Sequence, residues 1–132
     1  ANIAIDDQAR DGKGCAIVHS DDERGIQRLN QEAAKARAAG NKAGYDISKA
    51  RAMSWITSNP AKAAGIYHET GSLVAGKNAD VVLWSGDPFS VYSLAEQVFI
   101  DGALAFNRNT GFGPVSDFDV GIVDPREDRV ND

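Results

Sequence analysis

Cys15-Ala16-Ile17-Val18 is an unbroken apolar run that stops abruptly at His19-Ser20-Asp21-Asp22. Four consecutive apolar residues leave no polar face for water, so the run reads as a short strand buried on both sides, the mark of a parallel sheet. Such a strand needs neighbours, yet the next segment of chain is helical. Length tightens the constraint: 132 residues hold one modest core but fall short of the ~250 residues of a complete eight-fold barrel.

Composition narrows the classes. With 42% hydrophobic and 25% charged residues the chain is an ordinary globular sequence, which excludes collagen and disorder. A formal net charge of -5 offers no basic footprint, so neither nucleic acid nor an anionic membrane surface is expected as a partner. No apolar stretch approaches the ~18 residues of a membrane span, and the first residues lack the basic start and apolar core of a signal peptide. A cytoplasmic location is the resulting expectation. Cys15 is the single cysteine; its apolar neighbours suggest a buried, inert thiol in a reducing compartment.

Residues 2–10 read as a short helix closed by Gly12. From Glu23 to Ala39 the apolar positions Ile26, Leu29, Ala33 and Ala36 fall on one helical stripe, with Gly40 as the expected C-terminal cap. Ser48 is a good N-cap for a second helix that presents Ala52, Met53 and Ile56 inward and ends before Asn59-Pro60. A short third helix is expected from Pro60 to Gly65. Beyond Gly71 the period changes to that of strands: Ser72–Val74, a turn at Gly76, then Ala79–Trp84 as a strand buried on both faces. Gln97–Ile100 and Ala103–Phe106 flank Asp101-Gly102, the dipeptide suited to a two-residue type I′ hairpin. Three segments result: 1–70, 71–107, and a polar extended tail over 108–132.

His19-Ser20-Asp21-Asp22 carries the most chemistry, because catalytic groups gather where a parallel strand runs out and a helix begins. Asp21 or Asp22 there can bind a divalent metal or act as general base toward an attacking water. The competing reading is a helix N-cap, with Ser20, Asp21 or Asp22 accepting hydrogen bonds from free backbone N–H groups. His19 is a ligand or a hydrogen-bonded neighbour. His68 stands in a loop without an evident partner, and the two histidines lack the spacing of a self-contained zinc site. Gly71–Asn78 nearly matches a phosphate-binding loop, but Asn78 replaces the hydroxyl residue and a strand comes next where a helix is required. A tight turn with Gly76 at positive φ is the better reading. Asp117–Asp124 has the spaced acids of a calcium loop without its glycine, and reads as solvated tail. Trp55 and Trp84 read as packing residues.

Five pieces in one order, His19–Asp22 followed by Gly25–Ala36, Trp55–Ile66, Gly71–Ser90 and Val98–Phe106, resemble the C-terminal end of the metal-dependent amidohydrolases, nearest the imidazolonepropionase-like and dipeptidase-like branch. The resemblance covers residues 14–107. It implies an α/β fold class in which the chain is the C-terminal fragment of a hydrolase TIM barrel, its last β-strand plus closing helices over 1–70. Residues 71–107 would then be the C-terminal strands of a small composite β-sandwich. It also implies that Asp21, or Asp22 if the register is shifted by one, contacts the catalytic metal and takes a proton from the attacking water. Zinc is the metal so implied, and an amide or peptide-like C–N bond the substrate.

The family's histidine pair from its first strand and its further ligands have no counterpart here. One carboxylate cannot hold a metal that takes three or more protein ligands. The isolated chain is therefore expected to bind no metal and to be inactive, with the remainder of the parent hydrolase or a second copy as its partner. The alternative is a non-catalytic β-rich interaction or oligomerisation module in which His19–Asp22 is a cap and nothing more.

Overall fold

A computed structural model describes residues 6–7 and 14–110. The rest of the N-terminal helix expected over 2–10, the tail beyond Thr110 and the calcium-loop-like Asp117–Asp124 lie outside the described residues. Four helices, α1 (Glu23–Ile26), α2 (Leu29–Lys42), α3 (Lys49–Ser54) and α4 (Ser58–Ala63), precede three strands, β1 (Val81–Trp84), β2 (Ala95–Ile100) and β3 (Ala103–Asn107).

The helix expected over 23–39 is two helices. Arg28, at φ -126° and ψ 20°, leaves the helical region and breaks the run between α1 and α2, so Ile26 is exposed rather than inward. At the other end α2 runs through Gly40, which is buried inside it, and closes at Ala43. The left-handed residue is Gly44, at φ +96°, so the capping glycine lies four positions beyond the one expected. Ser48 caps α3 as anticipated, its side chain accepting from the Arg51 N–H at 3.1 Å. That helix stops at Ser54, however, and α4 passes through Asn59-Pro60. Proline is tolerated there because first-turn N–H groups have no helical acceptor.

Ala16, Ala33, Ile47, Ala52 and Trp55 form the buried core, and Val18, Ala36, Tyr45, Ile56 and Phe89 pack against it. The core thus lies between the segment 14–18 and helices α2 and α3. Residues 14–20 carry no β-ladder, contrary to the strand expected at 15–18. The reason is pairing: among the described residues no other strand lies in this layer, and a strand is defined by its neighbour. Cys15 is exposed, which corrects the buried thiol; Ala16 takes the core position beside it.

The three strands form one antiparallel sheet in the order β1-β2-β3. The hairpin between β2 and β3 turns at Asp101 (φ 51°) and Gly102 (φ 80°), two positive φ values in succession as a type I′ turn demands. Ser72–Val74 forms no strand. Val82 and Leu83 are exposed, so β1 is not buried on both faces within this chain. Neither face of a three-stranded sheet is covered unless a second layer packs on it, and the helices cover neither here. The sheet is joined to the helices by residues 87–90. Asn30 donates from Nδ2 to the Pro88 carbonyl at 2.6 Å, Lys49 pairs with Asp87, and Phe89 reaches the core.

Candidate active site

The segment that delivers His19–Asp22 is held along one edge by α3, α4 and the turn between them. Arg51 donates from a guanidinium nitrogen to the Gly14 carbonyl at 3.1 Å. Asn59 donates from Nδ2 to the Ala16 carbonyl at 2.8 Å, a buried bond. The Val18 N–H donates to the Trp55 carbonyl at 3.1 Å. Contacts at every second residue are the alternation of a strand, so side chain and loop groups stand where a neighbouring strand would. Arg51 is itself anchored: its Nε donates to both carboxylate oxygens of Asp7, at 2.8 and 2.9 Å. The Trp55 indole N–H donates to the same carboxylate at 2.8 Å. Asp7 has no exposed surface, and a buried carboxylate persists where charge and hydrogen bonds replace its water.

Past Val18 the chain turns, and the two aspartates part company. Asp22 accepts from the Gly25 N–H at Oδ1, 2.9 Å, and its own N–H donates to Ser20 Oγ at 3.2 Å. It is the N-cap of α1. A Cβ at Gly25 would stand 2.4 Å from Ser20 Oγ, so a larger residue there would displace the hydroxyl that accepts from the Asp22 N–H. Asp21 takes no part in this cap. Its carboxylate lies 3.2 Å from His19 Nδ1, and the two side chains are 94% and 72% exposed. The cap reading of the motif therefore holds for Asp22, and Asp21 stands outside the cap. His19 is a close neighbour of Asp21, at that 3.2 Å distance; His68 lies 3.2 Å from Glu69 and far along the chain from this turn.

As a metal centre the turn is incomplete. His19 and Asp21 offer two donors, Asp22 is committed to the backbone, and among the described residues no group of three or more His, Cys, Asp or Glu side chains converges. The residues present do not by themselves fit a metal that takes three protein ligands.

The glycine-lysine turn belongs to the frame rather than to a ligand. Gly76 has φ +90°, as expected. Lys77 folds back to donate to the Tyr67 carbonyl and lies 3.5 Å from the centre of the Tyr67 ring. An ammonium so engaged is not free to meet a phosphate. Asp80 accepts from the Asp101 N–H at 2.9 Å and from the Thr70 hydroxyl at 2.7 Å, and these bonds hold it below the usual carboxylate range. Sequence reasoning missed Arg51, Asn59 and Asp7. Asn59 was legible as a helix breaker and nothing more, and a lone arginine in a helix carries no signal of a buried acid 44 positions away.

Residues 5–112 match the amidohydrolase family. The chain belongs to that family. The amidohydrolase tasK of Hapsidospora irregularis is 35% identical over 63 residues, 48% of this chain and 6% of that protein. Urease subunit alpha 2 of Streptomyces coelicolor is 36% identical over 85 residues, 58% of this chain and 15% of the urease subunit. In the crystal structure of an amidohydrolase from Thermotoga maritima MSB8, the match covers 75% of this chain and 24% of that one, at 33% identity and a TM-score of 0.59. The amidohydrolase fold class is that of a TIM-barrel-type hydrolase, and this chain spans less than a quarter of the length of each of these proteins. Among the described residues no helix is long and apolar enough to cross a membrane.

Proposed function

We propose that this chain is the C-terminal part of a metal-dependent amidohydrolase that cleaves an amide or cyclic C–N bond with water, in the imidazolonepropionase-like or dipeptidase-like branch. Asp21 is its proton-handling residue. The observation that carries this reading is the division of labour in the turn. Asp22 is spent on the Gly25 N–H, while Asp21 stands exposed at the end of a backbone segment that α3 and α4 hold in place. A carboxylate in that position accepts the proton of the attacking water and returns it to the departing nitrogen, so that one acid serves both halves of the hydrolysis.

In this reading residues 1–70 close the barrel, residues 71–107 are the C-terminal strands of the composite sandwich, and 108–132 are an extended tail. The backbone groups of Gly14, Ala16 and Val18 are taken by α3, α4 and the loop between them. Cys15, Ile17 and His19 make no backbone hydrogen bond to any described residue, which leaves one edge to accept a strand from the rest of the parent or from a second copy. Zinc, with its remaining ligands supplied from outside the described residues, is the proposed metal, and the chain alone is inactive.

The test is made in the full-length protein that carries this chain, on a panel of dipeptides, N-acyl amino acids and cyclic amides. Asp21→Asn is expected to lower kcat about 10²-fold or more with the fold intact by circular dichroism. Asp22→Asn, which keeps a capping oxygen for the Gly25 N–H, is expected to lower turnover far less. The opposite ranking, with Asp22 the residue whose loss abolishes turnover, overturns the assignment.

A further inference from the structure

We infer that Asn59 is a positioning residue for Asp21, acting through the backbone of residues 14–20; the inference rests on the reading of Asp21 given above. In a sheet, the carbonyl of Ala16 would be satisfied by the N–H of an adjacent strand. Here the donor is a side chain, Asn59 Nδ2 at 2.8 Å, and both residues are 6% exposed. Two residues on, the Val18 N–H is held by the Trp55 carbonyl at 3.1 Å. These bonds fix the backbone on one side of Asp21, and the Ser20–Asp22–Gly25 cap fixes it on the other. Asp21 is thus suspended between two anchored points three residues and one residue away, with His19 Nδ1 3.2 Å from its carboxylate.

The chemistry of the anchor demands an amide. Asn59→Asp keeps the size and replaces the donor by an oxygen facing the Ala16 oxygen, so the contact turns from attraction to repulsion. Asn59→Ala leaves the Ala16 carbonyl buried without a partner. Either change frees residues 16–18 to shift, and displacement of a reacting group by about 1 Å costs on the order of 10²-fold in rate. Asn59 itself touches nothing that reacts.

Two measurements test this. In the chain itself, the ring nitrogen resonances of His19 report its contact with Asp21 and need no substrate. In Asn59→Asp they are expected to move toward their positions in Asp21→Asn, while the amide resonances of the β2–β3 hairpin stay in place. In the full-length protein, on the same substrate panel, Asn59→Asp is expected to lower kcat about tenfold or more with KM within about twofold. In the Asp21→Asn background it is expected to add nothing, because there is no carboxylate left to misplace.

His19 resonances unmoved in a folded Asn59→Asp, or a loss that multiplies in the double variant, overturns the inference and leaves Asp21 where it was. Asp21→Asn with full turnover overturns the reading of Asp21 instead. Should Asn59→Asp fail to fold, Asn59→Ala carries the same comparison without the buried charge.

Discussion

The helical layer and the three-stranded sheet bury their apolar residues very differently. In the first, Ala33, Ala52 and Trp55 have no exposed surface and Ile47 has 1%. In the second no residue of any strand is buried, and Val82, Leu83, Ile100 and Leu104 are exposed. Both regions carry apolar residues patterned for burial, a helical stripe in the first and strand runs in the second, so the presence of such a pattern does not separate them. What separates them is whether the covering layer is in the same stretch of chain. The helices bring their own partner, residues 14–18, whereas the sheet has cross-strand neighbours but no second layer among the described residues. Hydrophobic patterning records what a segment needs covered; it does not say by which part of a protein.

The sharpest way to break this comparison is Trp55→Ala. Trp55 is fully buried, and its indole N–H donates to the equally buried Asp7. Truncation removes the largest buried side chain and leaves that carboxylate short of a donor, for a loss of about 3–5 kcal/mol in denaturant unfolding. Trp84 lies half-buried at the end of β1, and Trp84→Ala is expected to cost markedly less. Equal losses at the two tryptophans would mean that the sheet is as much a core as the helices.

Local chemistry made the hairpin legible. Asp101-Gly102 specifies its own turn, and it sets the register of the first two pairs, Ile100 with Ala103 and Phe99 with Leu104, before a bulge shifts the pairing by one residue at Val98. The Ser48 cap and the Gly76 turn were legible for the same reason, each being decided within a few residues. Two kinds of feature were not. Helix ends moved where tertiary contacts outvoted propensity, as when α2 continued through Gly40 to a better-placed Gly44. Long-range polar contacts were invisible, since nothing near Arg51 announces Asp7 or Gly14. At the site, the sequence marked the turn but not which aspartate was which. Ser20-Asp21-Asp22 offers three capping residues, and the choice of Asp22 depends on where α1 begins.

That choice gives the next test, smaller in effect. Asp22→Ala removes the cap of α1 and is expected to cost about 1 kcal/mol. Asp21→Ala, at an exposed position outside the cap, is expected to change stability by no more than about 0.5 kcal/mol. Paired with the turnover measurements, the two variants separate stability from chemistry within adjacent residues, the proposal expecting Asp22 to sustain the helix and Asp21 the reaction. A cap-sized loss at Asp21 would return the whole turn to a structural role and bring the site region closer in kind to the hairpin.

The smallest effect concerns the joint between the two regions. The Lys49 hydrogen bond first, and the Phe89 N–H after it, hold the Asp87 carboxyl below its usual range. A carboxyl whose folded pKa lies below its unfolded one stabilises the fold above the unfolded value, about 4. Its contribution fades as pH falls from there through the lower folded value. Acidification below about pH 4 should therefore weaken the attachment of residues 87–90 to α2 and α3 and, by the same sign, the Asp80 hold on the Asp101 N–H, while the backbone ladder between β2 and β3, which has no titrating partner, stays paired. Amide exchange at Ser90, whose N–H donates to the Asp87 carbonyl at 2.9 Å, should accelerate in that window before exchange at the β2–β3 pairing does. In Lys49→Met the principal cause of the shift is gone, so the same acceleration should already be present near neutral pH and change little on acidification. A joint that stays protected through the acid window would show that Asn30 and Phe89 carry the attachment without the ion pair, and the two regions would then be bound by packing rather than by charge.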